Sequence, residues 1–294
     1  MTVVLALVTV GMLTPYVIRR LNGRGPTSVV IGAHLAALMI IWIGILDIAV
    51  GAVGLSHRLA EFCNLALLDP PASGGLRPVL ATTIVAAMVG RGIHRGWRIA
   101  RTTHGTRRRL LTISTRTEDD VAFAPLGSVA CTVGLLRPRI FVDDTMFPAL
   151  TPRQRDAVLA HERVHVRGFH GLIDLAARCM AAGLAPWPGA RLAQREVRRH
   201  LEAVADDRAA AHTSRRTVAT AIVMSATLPP LPALGAAGWS AWRVDRMLDP
   251  VPQRHHPLVG VAMLLILLSA LALAQTVGHA LAGIHLVPTT FPAV

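Results

Sequence analysis

The sequence predicts a mainly α-helical membrane protein, with about four transmembrane helices and an α+β domain set between the third and the fourth. Three observations carry that expectation. Apolar residues fill 52% of the 294 positions, more than an ordinary soluble domain holds, and mean hydropathy is positive. Those residues are gathered into long runs rather than spread evenly. Between the third and fourth runs the pattern changes to short strand-like stretches followed by amphipathic helical ones.

Thr2–Ile18 is nearly uncharged and is followed by Arg19, Arg20 and Arg24. A signal peptide carries its positive residues before the apolar core, so this run reads as a first span with Tyr16 near an interface. Val29–Leu55 is the second span and contains His34 and Asp47. Ser56–Arg77 is a polar loop poor in arginine. Pro78–Ile93 is the third span; it is shorter than the ~20 residues a span normally needs, and Arg77 and Arg91 can extend its reach by snorkelling. Residues 1–93 thus form three membrane helices with short loops.

The next stretch is strongly basic: Arg91, Arg95, Arg98, Arg101 and Arg107-Arg108-Arg109. All basic residues are arginine, and the net charge is +13. Beside a membrane span such a cluster marks the cytoplasmic side rather than direct binding of nucleic acid. The first short loop agrees with that orientation. Both termini are then expected outside and the segment 94–256 in the cytoplasm. Leu258–Val277 is the last apolar run, so 257–294 reads as a fourth membrane helix and a short extracellular tail.

Within 94–256, Val121-Ala122-Phe123, Ser128–Leu136 and Arg139-Ile140-Phe141-Val142 suggest a small antiparallel sheet or hairpin. Its edge could hold an extended peptide by strand addition. Thr151-Pro152-Arg153-Gln154 then offers a helix start with an N-cap, a first-turn proline and a capping box, and Gly168 a stop. Helices are expected over Gly171–Gly183, Ala190–His212 and Arg215–Thr227, with an amphipathic piece in Trp239–Leu248.

The capped helix carries His161-Glu162-Arg163-Val164-His165, an H-E-x-x-H pattern. Residues four apart share a helix face, so His161 and His165 can present two imidazoles to one Zn2+ ion. Glu162, one residue round, is placed as a general base that takes a proton from the attacking water, the arrangement of a zinc metalloprotease. A third ligand is needed. Glu202, in Glu202-Ala203-Val204-Ala205-Asp206, lies 202 − 165 = 37 residues downstream on another helical stretch. Asp206, one turn later, can accept the N–H of a ligating histidine. His200 is a rival third ligand. Cys63, Cys131 and Cys179 are scattered without paired spacing, so no disulfide framework is expected. There is no repeat and no phosphate-binding glycine loop.

Taken in order, Pro138–Val142, Leu150-Thr151, His161–His165, Glu202 with Asp206, and Arg243–Leu248 resemble the antirepressor membrane metallopeptidases, the family that includes the β-lactam sensor-transducers of bacteria. The resemblance covers roughly Val121–Pro250 by motif. It implies a gluzincin-type zinc site in a cytosolic domain of a bacterial cell-membrane protein. His161, His165 and Glu202 are then the zinc ligands, Glu162 the general base and Asp206 a partner of a ligand histidine. The implied substrate is a cytosolic protein or peptide, such as a transcriptional repressor, or the chain itself. Two departures matter. His170 stands where the family pattern often has Asp, so a supporting ion pair is expected to be missing. The sequence stops at Val294, so the extracellular penicillin-binding sensor is not expected.

Two other readings stay open from sequence. One is a heat-shock-type quality-control metalloprotease, which would have two spans before the motif. The other is a non-catalytic membrane scaffold with a structural zinc closed by a fourth ligand, His170 or His200.

Overall fold

A computed structural model describes residues 2–20, 27–53, 76–226 and 239–249 of the chain. Helices dominate the described residues. In order they are α1 (Thr2–Arg20), α2 (Thr27–Val53), α3 (Leu76–Ile113), α4 (Met146–Ala149), α5 (Pro152–Arg167), α6 (His170–Gly183), α7 (Pro188–His212), α8 (Arg215–Ala226) and α9 (Ser240–Leu248). Four strands lie between α3 and α4: β1 (Arg116–Glu118), β2 (Val121–Ala124), β3 (Ala130–Val133) and β4 (Arg139–Asp143). The expected loop Ser56–Arg77 lies almost wholly outside the described residues, as do the fourth span at Leu258–Val277 and the tail.

One segment among the described residues, Thr27–Ile45 of α2, is long and apolar enough to cross a membrane. One side of it faces protein. Leu38 and Ile41 share a cluster with Ala181, Leu184, Ala190 and Ala193, and Ile31 packs with Ala177, Val197 and Leu201. Trp42 fixes the level of this contact: its Nε1 donates to the Met180 carbonyl at 3.1 Å. Gly183 permits the close approach, because a Cβ there would run into the Trp42 ring.

The sequence suggests a domain boundary at residue 93, but α3 passes through it as one unbroken 38-residue helix. The arginine-rich stretch has no glycine or proline cluster to stop a helix, and like charges on a solvated face are tolerated. At its far end Leu110 and Leu111 pack under the sheet.

The sheet runs β1-β2-β4-β3 and is mixed rather than purely antiparallel. β1–β2 and β3–β4 are antiparallel, while β2 and β4 pair in parallel, Val121 opposite Ile140 and Phe123 opposite Val142. Burial explains the order. Every residue of β2 is buried, and Ile140, Phe141 and Val142 of β4 are 0% exposed, so both strands need cover on both faces and take the centre. β1 is exposed throughout and takes an edge.

Asp143 ends β4 and gathers the following turns. Its Oδ2 accepts from the Leu126 and Gly127 amides at 2.8 and 3.0 Å. Its Oδ1 accepts from the Thr145 amide and hydroxyl and the Met146 amide, at 3.0, 2.7 and 2.9 Å. The upper face of the sheet packs on Phe147, Leu150, Val158 and Ala221, which seats α5 directly on the sheet.

Candidate metal centre

The capping box at the start of α5 forms as the sequence suggests. The Thr151 amide donates to Gln154 Oε1 at 2.9 Å, and the Gln154 amide returns a bond to Thr151 Oγ1 at 3.4 Å. Ala157 and Val158 anchor the buried side of the helix, which fixes the face on which the two imidazoles emerge.

His161 Nε2 and His165 Nε2 lie 3.1 Å apart. α7 brings in Glu202, with Oε2 at 3.6 Å from His161 Nε2 and Oε1 at 3.8 Å from His165 Nε2. A tetrahedral zinc ion with bonds of ~2.0–2.2 Å needs ligand atoms about 3.3–3.6 Å apart, so this triangle has the right size. The donor set of two imidazoles and one carboxylate also suits zinc. These three could hold a metal ion, and no fourth His, Cys, Asp or Glu joins them among the described residues.

Each histidine is supported from behind. His161 Nδ1 lies 3.0 Å from Asp206 Oδ1. With Nε2 turned to the ligand triangle, Nδ1 carries the proton and donates to the carboxylate. His165 Nδ1 lies 2.8 Å from His170 Nδ1. The expectation of a missing support at His170 is met differently: a neutral imidazole acceptor fills the place of a carboxylate. The turn between α5 and α6 makes this possible. Phe169 takes a left-handed conformation at φ 48°, and a Cβ at Gly168 would strike the His170 ring. His200 is not near the triangle. Its Nδ1 donates to the Glu196 carbonyl at 2.8 Å, and its ring stacks beside His34 of α2 at 6.5 Å.

Two residues that sequence reasoning gave no role complete the site. Thr132 of β3 donates through Oγ1 to Glu162 Oε2 at 2.6 Å and fixes the carboxylate beside the triangle. Arg243 of α9 donates from Nε and Nη2 to Asp206 at 2.8 and 2.6 Å, and its Nη1 lies 3.1 Å from Glu202 Oε2. One helical turn on, Arg246 pairs with Asp207. Two adjacent acids, Asp206-Asp207, and two arginines one helical turn apart, Arg243 and Arg246, were a readable signal of opposite charge for this docking; nothing in the sequence marked Thr132.

No protein-family model matches the chain, and no curated protein is similar to it. The resemblance to membrane metallopeptidases therefore rests on the sequence motifs alone.

Electrostatics separates the two candidate ligand histidines. Burial opposes charge on His161, but the Asp206 and Glu202 carboxylates outweigh it and raise its pKa to about 10, so a metal ion binding at Nε2 would have to displace a proton from that atom. Burial lowers His165 to about 4 and His170 to about 3, which keeps both neutral. Burial works to raise Glu202, yet Arg243 and the neighbouring histidines hold it well below the usual carboxylate range. Glu162 is raised by burial, against the pull of His161 and Thr132.

β3 borders the site and has a neighbour on one side only among the described residues. The Asp143 amide donates to the Val129 carbonyl at 3.0 Å. By the alternation of an antiparallel ladder, Cys131 and Val133 turn their backbone groups to β4, while Ala130 and Thr132 turn theirs to the free edge.

Proposed function

We propose that this protein is an integral-membrane zinc-dependent endopeptidase that cleaves a cytosolic protein. The observation that carries the reading is the His161–His165–Glu202 triangle, with Glu162 held beside it by Thr132 and no fourth ligand among the described residues. A structural zinc is closed by four protein ligands, whereas a catalytic one keeps a position open. His170, a candidate fourth ligand, is instead turned to the back of His165.

A zinc ion bound by the three residues would lower the pKa of a water towards ~7 and polarise a carbonyl. The chain supplies the rest. Glu162 takes the proton of the attacking water and passes it to the leaving amine. Thr132 orients the carboxylate for both transfers. Asp206 and His170 hold the ligand imidazoles in one tautomer. Arg243 is fully engaged with Asp206 and Glu202, so it steadies the ligand helix rather than meeting substrate. The free edge of β3 at Ala130 and Thr132 suits an extended substrate strand, and Thr132 on that edge contacts Glu162.

Membrane insertion is supported by more than α2. The exposed face of α3 carries Val79, Leu80, Ile84, Val89, Ile93 and Trp97, and that of α1 carries Val10, Leu13 and Val17. Apolar surface on this scale suits lipid better than water. Three spans before the site, a fourth after it and a cytoplasmic metal centre are the arrangement we favour, with a repressor-like cytosolic protein as substrate. The test is the metal content of detergent-purified protein. About one zinc per chain, lost in Glu202→Ala, supports the site; a folded wild type without zinc removes the peptidase reading.

A further inference from the structure

Away from the metal centre, the end of α1 meets the start of α7 around a cavity of about 440 Å3. Its lining includes Tyr16, Arg19, Pro186, Arg191, Leu192 and Arg195. Arg191 and Arg195 are four residues apart and so project from one face of α7, and Arg19 comes from the last turn of α1. Elsewhere on the helical layer arginines have carboxylate partners: Arg178 with Asp174, Arg199 with Glu196, Arg243 with Asp206 and Arg246 with Asp207. Arg19, Arg191 and Arg195 have none among the described residues. All three are exposed and line the same groove from two helices, so an anion seated there would meet three positive charges at once.

The position of the cavity narrows the choice of anion. Arg19 closes the apolar run Thr2–Ile18, and Tyr16 lies one turn inside it. In a membrane helix this is headgroup depth, where tyrosine and arginine concentrate. The wall is mixed: guanidinium groups suit phosphate oxygens in a forked geometry, while Leu192, Ala185 and Pro186 offer apolar surface to glycerol and the start of an acyl chain. Inorganic phosphate would leave that apolar wall unused.

We propose that this cavity binds the phosphodiester headgroup of one anionic phospholipid, tying α1 to the helix that carries Glu202. The proposal rests on the membrane reading of α1 and α2, and not on the peptidase chemistry.

Native mass spectrometry of the detergent-purified full-length protein tests it, with phosphatidylglycerol, phosphatidylcholine and inorganic phosphate as probes. The expected result is one retained phosphatidylglycerol at concentrations where phosphatidylcholine does not bind. Arg191→Gln with Arg195→Gln should weaken that binding at least about tenfold, and Arg19→Gln alone, on the other helix, should weaken it measurably. Arg153→Gln with Arg216→Gln removes the same charge from exposed positions elsewhere and should leave binding unchanged. Equal loss in that control, or undiminished binding in both cavity variants, overturns the site. Displacement of the lipid by millimolar inorganic phosphate overturns the lipid assignment in favour of a free anion. Carbonate washing of membranes reads the membrane assignment separately: protein kept in the pellet upholds it whatever the lipid result, and protein released to the supernatant removes both.

Discussion

Arg243 closes a fork on Asp206, with its Nε 2.8 Å from Oδ2 and its Nη2 2.6 Å from Oδ1. The carboxylate is 1% exposed and also accepts from His161, so one buried aspartate joins α5, α7 and α9. Removing the guanidinium leaves a buried charge without its main partner. Arg243→Met should destabilise the fold by ~3 kcal/mol and weaken zinc binding ~10–100-fold. Arg243→Lys keeps the charge but not the fork and should fall between. Thermal unfolding and titration against a competing chelator measure the two effects. Zinc affinity unchanged in both variants would detach Arg243 from the metal site.

Glu162→Gln keeps the shape of the side chain and removes the base. Zinc content should stay near wild type while peptide cleavage falls ~10²–10⁴-fold. Thr132→Val should also retain zinc, with a smaller loss of cleavage, because it loosens Glu162 without removing it. A Glu162→Gln protein that cleaves at the wild-type rate would sink the mechanism.

His170 supports His165 as a neutral acceptor, so its replacement separates shape from hydrogen bonding. His170→Phe should lower zinc affinity ~10–100-fold, and His170→Asp should recover most of it. The comparison is made by chelator competition at fixed pH. Equal affinities across all three proteins would mean that His165 needs no support at Nδ1.

Asp143 sets an acid limit on stability. Burial works to raise its pKa, but bonds from the Met146 and Leu126 amides and from both Thr145 groups win, and hold it below the ordinary carboxylate value. A folded-state pKa below the unfolded one contributes stability above the unfolded pKa, near ~3.9, and that contribution is lost as pH falls through the folded value. Asp143→Asn should therefore cost at least ~2 kcal/mol at neutral pH and progressively less below about pH 4. Denaturant midpoints at pH 7 and pH 3 provide the check; a penalty of equal size at both would assign the effect to packing.

Much of the candidate metal site was legible in the residues. The Thr151–Gln154 box and the four-residue spacing of His161 and His165 are local features, and local rules place them. Glu202 with Asp206 could be read because both requirements, a carboxylate ligand and a histidine partner one turn apart, fit a single helix. The sheet order was less accessible. Arg116-Thr117-Glu118 has no apolar residue to mark a strand, and β2 pairs in parallel with β4 only because both are buried on two faces. Thr132 reached Glu162 through that sheet, so its role depends on a register that no short stretch records. His170 was visible as a residue but not as a support, because the left-handed turn at Phe169 determines where it points.

The packing of α2 on α6 and α7 has an evolutionary consequence. Ile31, Leu38 and Ile41 supply the floor for Ala177, Ala193, Val197 and Leu201, and Leu201 adjoins Glu202 in the chain. The portable unit is therefore not the stretch from residue 94 onwards. A gene fusion that grafted that stretch alone onto another protein would transfer the candidate metal ligands and leave behind the surface on which the helix of Glu202 rests.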